Sequence, residues 1–246
     1  MESHLPVLQI IVPLITAPFC LLVRHRILVC GLAMLACWTT FAIALMLFTR
    51  IAIGSGDEIA YELGGWQAPW GIEYRVDTLS SFLLLIVSGI GCLVHTYSPL
   101  SISREIDPEQ HHLFHAAYLL CLAGLLGIVI TGDLFNLFVF LEISSLSSYA
   151  LISLGAKQTR KALTASFQYL VMGTVGATFI LIGIGLMYQM TGTLNMADMA
   201  SRLETIEGPR TVLVAFAFLT VGISLKMALF PLHAWLPGAY AYAPSV

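Results

Sequence analysis

A chain of 246 residues in which 58% of side chains are hydrophobic and only 10% are charged cannot meet water on all sides, because soluble domains usually carry about 25% charged residues. A formal net charge of −3 offers no basic surface for nucleic acid. With a mean hydropathy of +0.88, the composition argues against an ordinary soluble enzyme and predicts an all-α integral membrane protein.

A hydrocarbon core about 30 Å thick takes roughly 20 apolar residues at about 1.5 Å each. The first predicted span runs from about Pro6 to Val23 and stops at Arg24, His25 and Arg26. No small-residue cleavage site follows it, so it reads as a retained helix and not a signal peptide. The second runs from Ile27 to about Ile53, closing an αα-hairpin. Residues 54–75 then form a polar extramembrane loop whose Trp66 and Trp70 suit the interfacial belt, where an apolar ring keeps its N–H wet.

The third span covers about Val76 to Ser98, and a charged loop leads to the fourth, about Leu113 to Thr131. Gly132 and Asp133 turn the chain into the fifth, about Leu134 to Leu154. Lys157, Arg160 and Lys161 punctuate the next loop. The sixth span, about Ala162 to Met190, carries Gly173, Gly176, Gly183 and Gly185, small residues that let neighbouring helices approach. The seventh starts after Arg210 and meets Pro231 before it ends. Residues 1–110 thus hold three spans and the loop, and residues 111–246 hold four.

Arg24, Arg26, Arg104, Lys157, Arg160 and Lys161 fall on one side of this layout, against Arg50, Arg75, Arg202 and Arg210 on the other. The positive-inside rule then puts the N-terminus outside and the C-terminus in the cytoplasm. The five cysteines, Cys20, Cys30, Cys37, Cys92 and Cys121, sit in apolar stretches without a CxxC pair and read as free buried thiols. No phosphate-binding loop, nucleophile elbow or HExxH motif marks a soluble catalytic domain.

Two charges stand where charges are expensive. Glu142 lies nine residues beyond Asp133, about 13 Å deeper at helical rise, and Lys226 lies well inside the seventh span. Each costs at least about 2.5–3.5 kcal/mol at the centre of a bilayer, so such residues face a bundle interior, pair, and serve a pathway. The bland alternative is an ion pair that merely joins two helices, a poor stabiliser relative to apolar packing. An amine whose proton affinity changes as a carboxylate approaches or recedes is the chemistry of a proton relay. Pro231 lacks an N–H and its ring clashes with the carbonyl four residues back, so it breaks the helix, and Pro237 reads as a second break. His233, seven residues after Lys226 and beside the break, is a further relay candidate.

The remaining histidines give weaker signals. His111 and His115 stand at i, i+4 beside His112, yet no third ligand has zinc-site spacing. His95 and His115 could hold a haem axially, which is the enzyme-class alternative. Otherwise the residues imply no cofactor and no metal.

The segments TGDLFNLFVFLEISSLSSYALI (131–152), YQMTGTLNMADMA (188–200) and LKMALFPLHAWLPGAYAYAPSV (225–246) resemble the antiporter-like subunits shared by multisubunit Na⁺/H⁺ antiporters and respiratory complex I. ELGGWQAPWGIEYRVDTLSSF (62–82) is more similar to the D branch of the Mrp-type antiporter subunits. The resemblance implies a glutamate on the fifth helix, Glu142, paired with a lysine on a broken seventh helix, Lys226, with His233 at the histidine position after the helix-breaking proline. It implies two inverted five-helix repeats, each forming half a proton channel. Ending at Val246, the chain is expected to hold the first repeat without its last helix, as a fragment or with a separate chain supplying the rest. The implied function is proton conduction coupled to monovalent cation exchange. The alternative is proton pumping within complex I or a membrane-bound hydrogenase, in which partner subunits carry the electrons. The implied partners are other subunits of that complex, protons and Na⁺, and the implied location is the cell inner (plasma) membrane.

Overall fold

The apolar runs fold as helices, and a computed structural model describes them over residues 4–23, 25–55, 58–206, 208 and 210–245. Arg24, one of the charges in the orientation argument, lies outside the described residues. In chain order the helices are α1 (Leu5–Leu22), α2 (Arg26–Phe48), α3 (Thr78–Glu105), α4 (His111–Ile130), α5 (Leu134–Ser153), α6 (Lys161–Thr191), α7 (Met196–Leu203), α8 (Arg210–Lys226) and α9 (Leu236–Tyr242).

Among the described residues, six helices are long and apolar enough to cross a membrane, the sixth ending at Thr191. The expected seventh span is in two pieces, α8 of 17 residues and α9 of seven. Small side chains line the contacts among the first helices, and many large apolar ones face outward. Ala17, Cys20, Ala33, Ala36, Cys37 and Ala44 are buried where the first helices meet, while Leu22 and Ile27 are each 77% exposed. That inversion suits helices that pack on each other through small residues and present apolar surface to lipid.

The polar loop is not structureless. Strands β1 (Ile59–Glu62) and β2 (Glu73–Val76) form an antiparallel hairpin, with Ile59 opposite Val76 and Glu62 opposite Glu73. The hairpin is a small addition to a chain whose other regular elements are helical, as expected. Strands of four residues within a Gly- and Trp-rich polar stretch leave too little alternation to read. Arg75 on β2 pairs with Glu58 and lies 3.9 Å from Glu73. Trp70, at 90% exposure, projects from the hairpin's connection.

The bundle has two unlike ends. At one, Gly132 N–H donates to the Glu73 carbonyl (2.9 Å) and Asp133 bridges Asn195, so the hairpin, the start of α5 and the start of α7 are joined. At the other, Lys157 lies 3.2 Å from Asp107, and Ser245 N–H donates to Glu105 Oε2 (2.7 Å). Gly176 of α6 meets Gly222 of α8 while Gly183 meets Leu219, so the two helices run antiparallel. With Ser245 reaching Glu105, residues 210–245 therefore run from the hairpin end to the opposite end.

Candidate functional site: a lysine–glutamate pair at a helix interruption

The site is built first by how α5 is placed. Asp133 caps it, accepting from Asn136 N–H (2.7 Å), and Asn136 Nδ2 donates to Thr131 Oγ1 (2.9 Å). The polar residues of the TGDLFN segment are therefore structural. Further along, Gly124 and Gly127 of α4 let α5 close in. A Cβ at Gly124 would come within 2.7 Å of the Ser144 nitrogen, and one at Gly127 would overlap the Phe140 ring. At about 100° per residue, position 142 lies roughly 200° from both 140 and 144. Packing Phe140 and Ser144 on α4 thus turns Glu142 away from it, toward α8.

Glycines also position α8. A Cβ at Gly222 would stand 2.7 Å from the Gly176 carbonyl oxygen, and one at Gly183 would stand 2.6 Å from Leu219 Cγ. Gly173, Gly176 and Gly183 meet neighbouring groups as their small size predicts, whereas a Cβ at Gly185 would meet nothing.

The end of α8 has a defined cap. Ala228 N–H donates to the Leu225 carbonyl (3.2 Å) and Leu229 N–H to the Ser224 carbonyl (2.9 Å), the paired bonds of a Schellman motif. Ala228 supplies the left-handed residue, with φ of 52°. That conformation disfavours an L side chain, and such residues concentrate at functional sites. Trp235 Nε1 also donates to the Leu225 carbonyl (3.1 Å), so the indole satisfies backbone released by the break. Lys226 is the last residue of α8, where a cation meets the negative end of the helix dipole.

Here the two expected charges meet. Lys226 Nζ donates to Glu142 Oε1 (2.6 Å) and to Ser145 Oγ (2.8 Å). The Lys226 and Glu142 side chains are 12% and 22% exposed. Ser145 Oγ in turn donates to the Leu141 carbonyl (2.7 Å). A charge-assisted bond this short is strong locally, but the cost of desolvating both ions offsets most of what it adds to folding. The ammonium thus spends two of its three donors on a carboxylate and a hydroxyl of the same helix face.

The structure places the other candidates separately. Pro231 lies in the interruption between α8 and α9, and the carbonyl its ring would exclude from a continuing helix is that of Met227, the residue after the last helical one. Pro237 does not break a helix. It sits in the first turn of α9, where its missing N–H would have had no intrahelical partner. His233 is in the interruption with its ring 5.5 Å from that of Phe230, and its buried Nδ1 has no hydrogen-bond partner. The hydrogen bonds of the Lys226 pair do not include it.

His95 and His115 are buried together, with ring centroids 5.1 Å apart in edge-to-face contact. Rings in contact leave no room for a porphyrin between them, so the pair does not fit a haem. His111, His112 and His115 line a cavity of about 610 Å³ with Arg26 and Glu109. Among the described residues no group of three His, Cys, Asp or Glu side chains is placed to hold a metal ion.

Sequence reasoning missed Ser145 and the capping role of Trp235. Ser145 had a signal, since it stands three residues from Glu142 and therefore on the same helix face. Trp235 had none, because its bond spans a break whose shape only the folded chain defines.

Fold and site together define a multi-pass membrane protein with a hydrogen-bonded lysine–glutamate pair at a helix interruption. Residues 131–246 match the family described as NADH:quinone oxidoreductase/Mrp antiporter, transmembrane, and the chain belongs to these antiporter-like membrane subunits. It is 42% identical to the N subunit of NADH-quinone oxidoreductase from Desulforudis audaxviator, over 100% of this chain and 48% of that protein. It is 36% identical to the D subunit of a probable K⁺/H⁺ antiporter from Rhizobium meliloti, over 98% of this chain and 45% of that protein. Among solved structures, an archaeal membrane-bound sulfane sulfur reductase complex contains a chain with a TM-score of 0.90 and 33% identity, covering 98% of this chain and 48% of that one. The Mrp complex of Dietzia gives 0.84 and 27%, covering 98% and 44%. The chain spans about half the length of the relatives it matches.

Proposed function

We propose that this chain is a proton-handling membrane subunit of a multisubunit monovalent cation/proton antiporter, and that Glu142 and Lys226 form its relay. The observation that carries this reading is the 2.6 Å contact from Lys226 Nζ to Glu142, made where α8 ends. With Glu142 near, the amine holds its proton. When the two part, the ammonium loses its counter-charge in a low-dielectric site and releases the proton. His233 serves as a later acceptor beside the interruption. Residues 111–246 act as the first antiporter-like repeat, following 1–110, and a separate chain or further sequence supplies the second. The subunit works with others in the inner (plasma) membrane, with its N-terminus outside and its C-terminus in the cytoplasm, exchanging protons for Na⁺ or another monovalent cation.

A second reading draws support from the 42% identity to a subunit named for NADH-quinone oxidoreductase. In it the same pair pumps protons for a redox complex, and partner subunits handle the electrons. Co-purification with flavin and iron–sulfur subunits favours this second reading, and cation-dependent proton flux without them favours the first.

The test of the relay is proton flux in everted vesicles carrying the whole complex, with assembly followed by native electrophoresis. Glu142→Gln and Lys226→Ala are each expected to abolish flux and leave assembly intact, while Glu142→Asp retains part of it. Normal flux in both neutralising variants refutes the relay, and failed assembly in both reduces the pair to a structural contact.

A further inference from the structure

The cavity of about 610 Å³ that holds His111, His112 and His115 shares no residue with the lysine–glutamate site. It lies at the end of the bundle opposite the hairpin, where α2 begins at Arg26 and α4 begins at His111. Among the described residues neither helix start is capped by the side chain of its flanking residue, so the positive ends of two helix dipoles meet the cavity. Arg26 adds a guanidinium and the imidazoles add hydrogen-bonding nitrogens, against one carboxylate, Glu109, among the described lining residues. His115 lines this cavity at 4% exposure, and its buried Nδ1 has no hydrogen-bond partner among the described residues. A buried polar atom left in this way calls for a ligand or water. The balance of charge selects an anion.

An apolar slot leads away from this mouth. A cavity of about 440 Å³ shares Arg26, His111 and His115 with the first and adds Ile27, Gly31 and Pro99. A third, of about 530 Å³, shares Gly31 and continues past Leu35 and Trp38 to Ala42. Ile27, Gly31, Leu35, Trp38 and Ala42 recur every three or four residues, so they lie on one face of α2. That face points out of the bundle: Ile27, Leu35 and Trp38 are exposed, and a Cβ at Gly31 would meet nothing within 4 Å. Arg26 to Ala42 spans sixteen residues, about 24 Å at helical rise. One leaflet of the hydrocarbon core is shorter, roughly 15 Å.

We propose that this surface binds one anionic phospholipid, its phosphate held by Arg26, His112 and His115 and one acyl chain laid along α2 past Gly31. A free phosphate would satisfy the cationic mouth and leave the slot empty. An apolar helix would fill the slot and leave the mouth unpaired. A lipid with a net negative head satisfies both, and the site stands independently of the proton relay.

The test uses phosphatidylglycerol with a photoreactive group near the end of an acyl chain, added to the complete complex, with crosslinks mapped by mass spectrometry. Crosslinks are expected on residues 34–42, with several-fold fewer from the phosphatidylcholine analogue. Below saturation, Arg26→Gln is expected to lower the yield about fivefold, the worth of one cation near an anionic membrane surface, and Glu109→Gln to raise it. Gly31→Phe has room to fold and is expected to lower the yield by filling the slot. Equal yields from the two lipids overturn the proposal, as does an unchanged yield in either Arg26→Gln or Gly31→Phe. Inorganic phosphate that displaces the probe as well as unlabelled phosphatidylglycerol does would make this a free-anion site and also overturns it. So does an absence of crosslinks to α2 in the assembled complex, which would mean that a neighbouring subunit fills the slot.

Discussion

Gly222 and Gly176 meet backbone to backbone where α8 crosses α6, with no space for a single added carbon on the α8 side. This contact lies one turn before Lys226 and sets how close the lysine comes to α5. Gly222→Val is expected to force the helices apart at a cost of about 1–3 kcal/mol, the usual penalty for overpacking. Thermal unfolding of the purified complex measures it, and an unchanged Tm would show that the helices yield there freely.

Trp235 joins the two sides of the interruption through its bond to the Leu225 carbonyl. Trp235→Phe keeps a ring to stack on Tyr169 but removes the donor. Stability is expected to fall by about 0.5–1.5 kcal/mol, the net worth of a typical hydrogen bond. Proton flux is expected to fall as well, because the last turn of α8 carries Lys226. Equal flux and equal Tm in this variant would deny the indole its capping role.

Asp77 caps α3, accepting from Ser80 N–H (2.7 Å) while Ser80 Oγ accepts from Asp77 N–H (2.7 Å). These bonds from Ser80 hold its carboxyl below the ordinary value of 3.8. A carboxyl lowered in the folded state contributes stability that is whole above the unfolded value and is lost as pH falls through the folded one. Asp77→Ala is expected to cost about 1 kcal/mol near neutral pH, with the difference from the parent shrinking below the ordinary carboxyl value. A difference that grows on acidification would contradict the cap.

Gln158 is exposed in the loop between α5 and α6, beside Lys157, Arg160 and Lys161. Under the proposed orientation, Gln158→Cys resists a charged, impermeant thiol reagent added outside intact cells and reacts once the membrane is opened. Labelling in intact cells would invert the orientation and leave the fold untouched.

Glu142 and Lys226 were legible because an ionised side chain in an apolar run has few reasons to be there. Their contact follows from opposite sign and similar depth. Pro231 marked the break, but not its edge. The helix ends at Lys226, five residues earlier, through backbone bonds around Ala228 that no residue type announces. Pro237 misled for a related reason, since a proline ends a helix or begins one according to its position in the turn. The hairpin and α7 escaped because four-residue strands and an eight-residue helix offer too few periods. Ser145 was within reach through its spacing from Glu142 on α5, whereas the bond of Trp235 spans a break that no single segment encodes.

The joint between Gly132, Glu73 and Asn195 carries a mechanical consequence. Two other stretches of chain, the hairpin and the start of α7, lash the start of α5 in place, so the carboxylate rides on a fixed post. The amine sits where α8 stops, tied to α9 by an irregular stretch and by the Trp235 bond to the Leu225 carbonyl across it. Under the proposed relay, a movement that parts the two falls on the stretch between Met227 and Trp235 and has to carry the indole's bond with it.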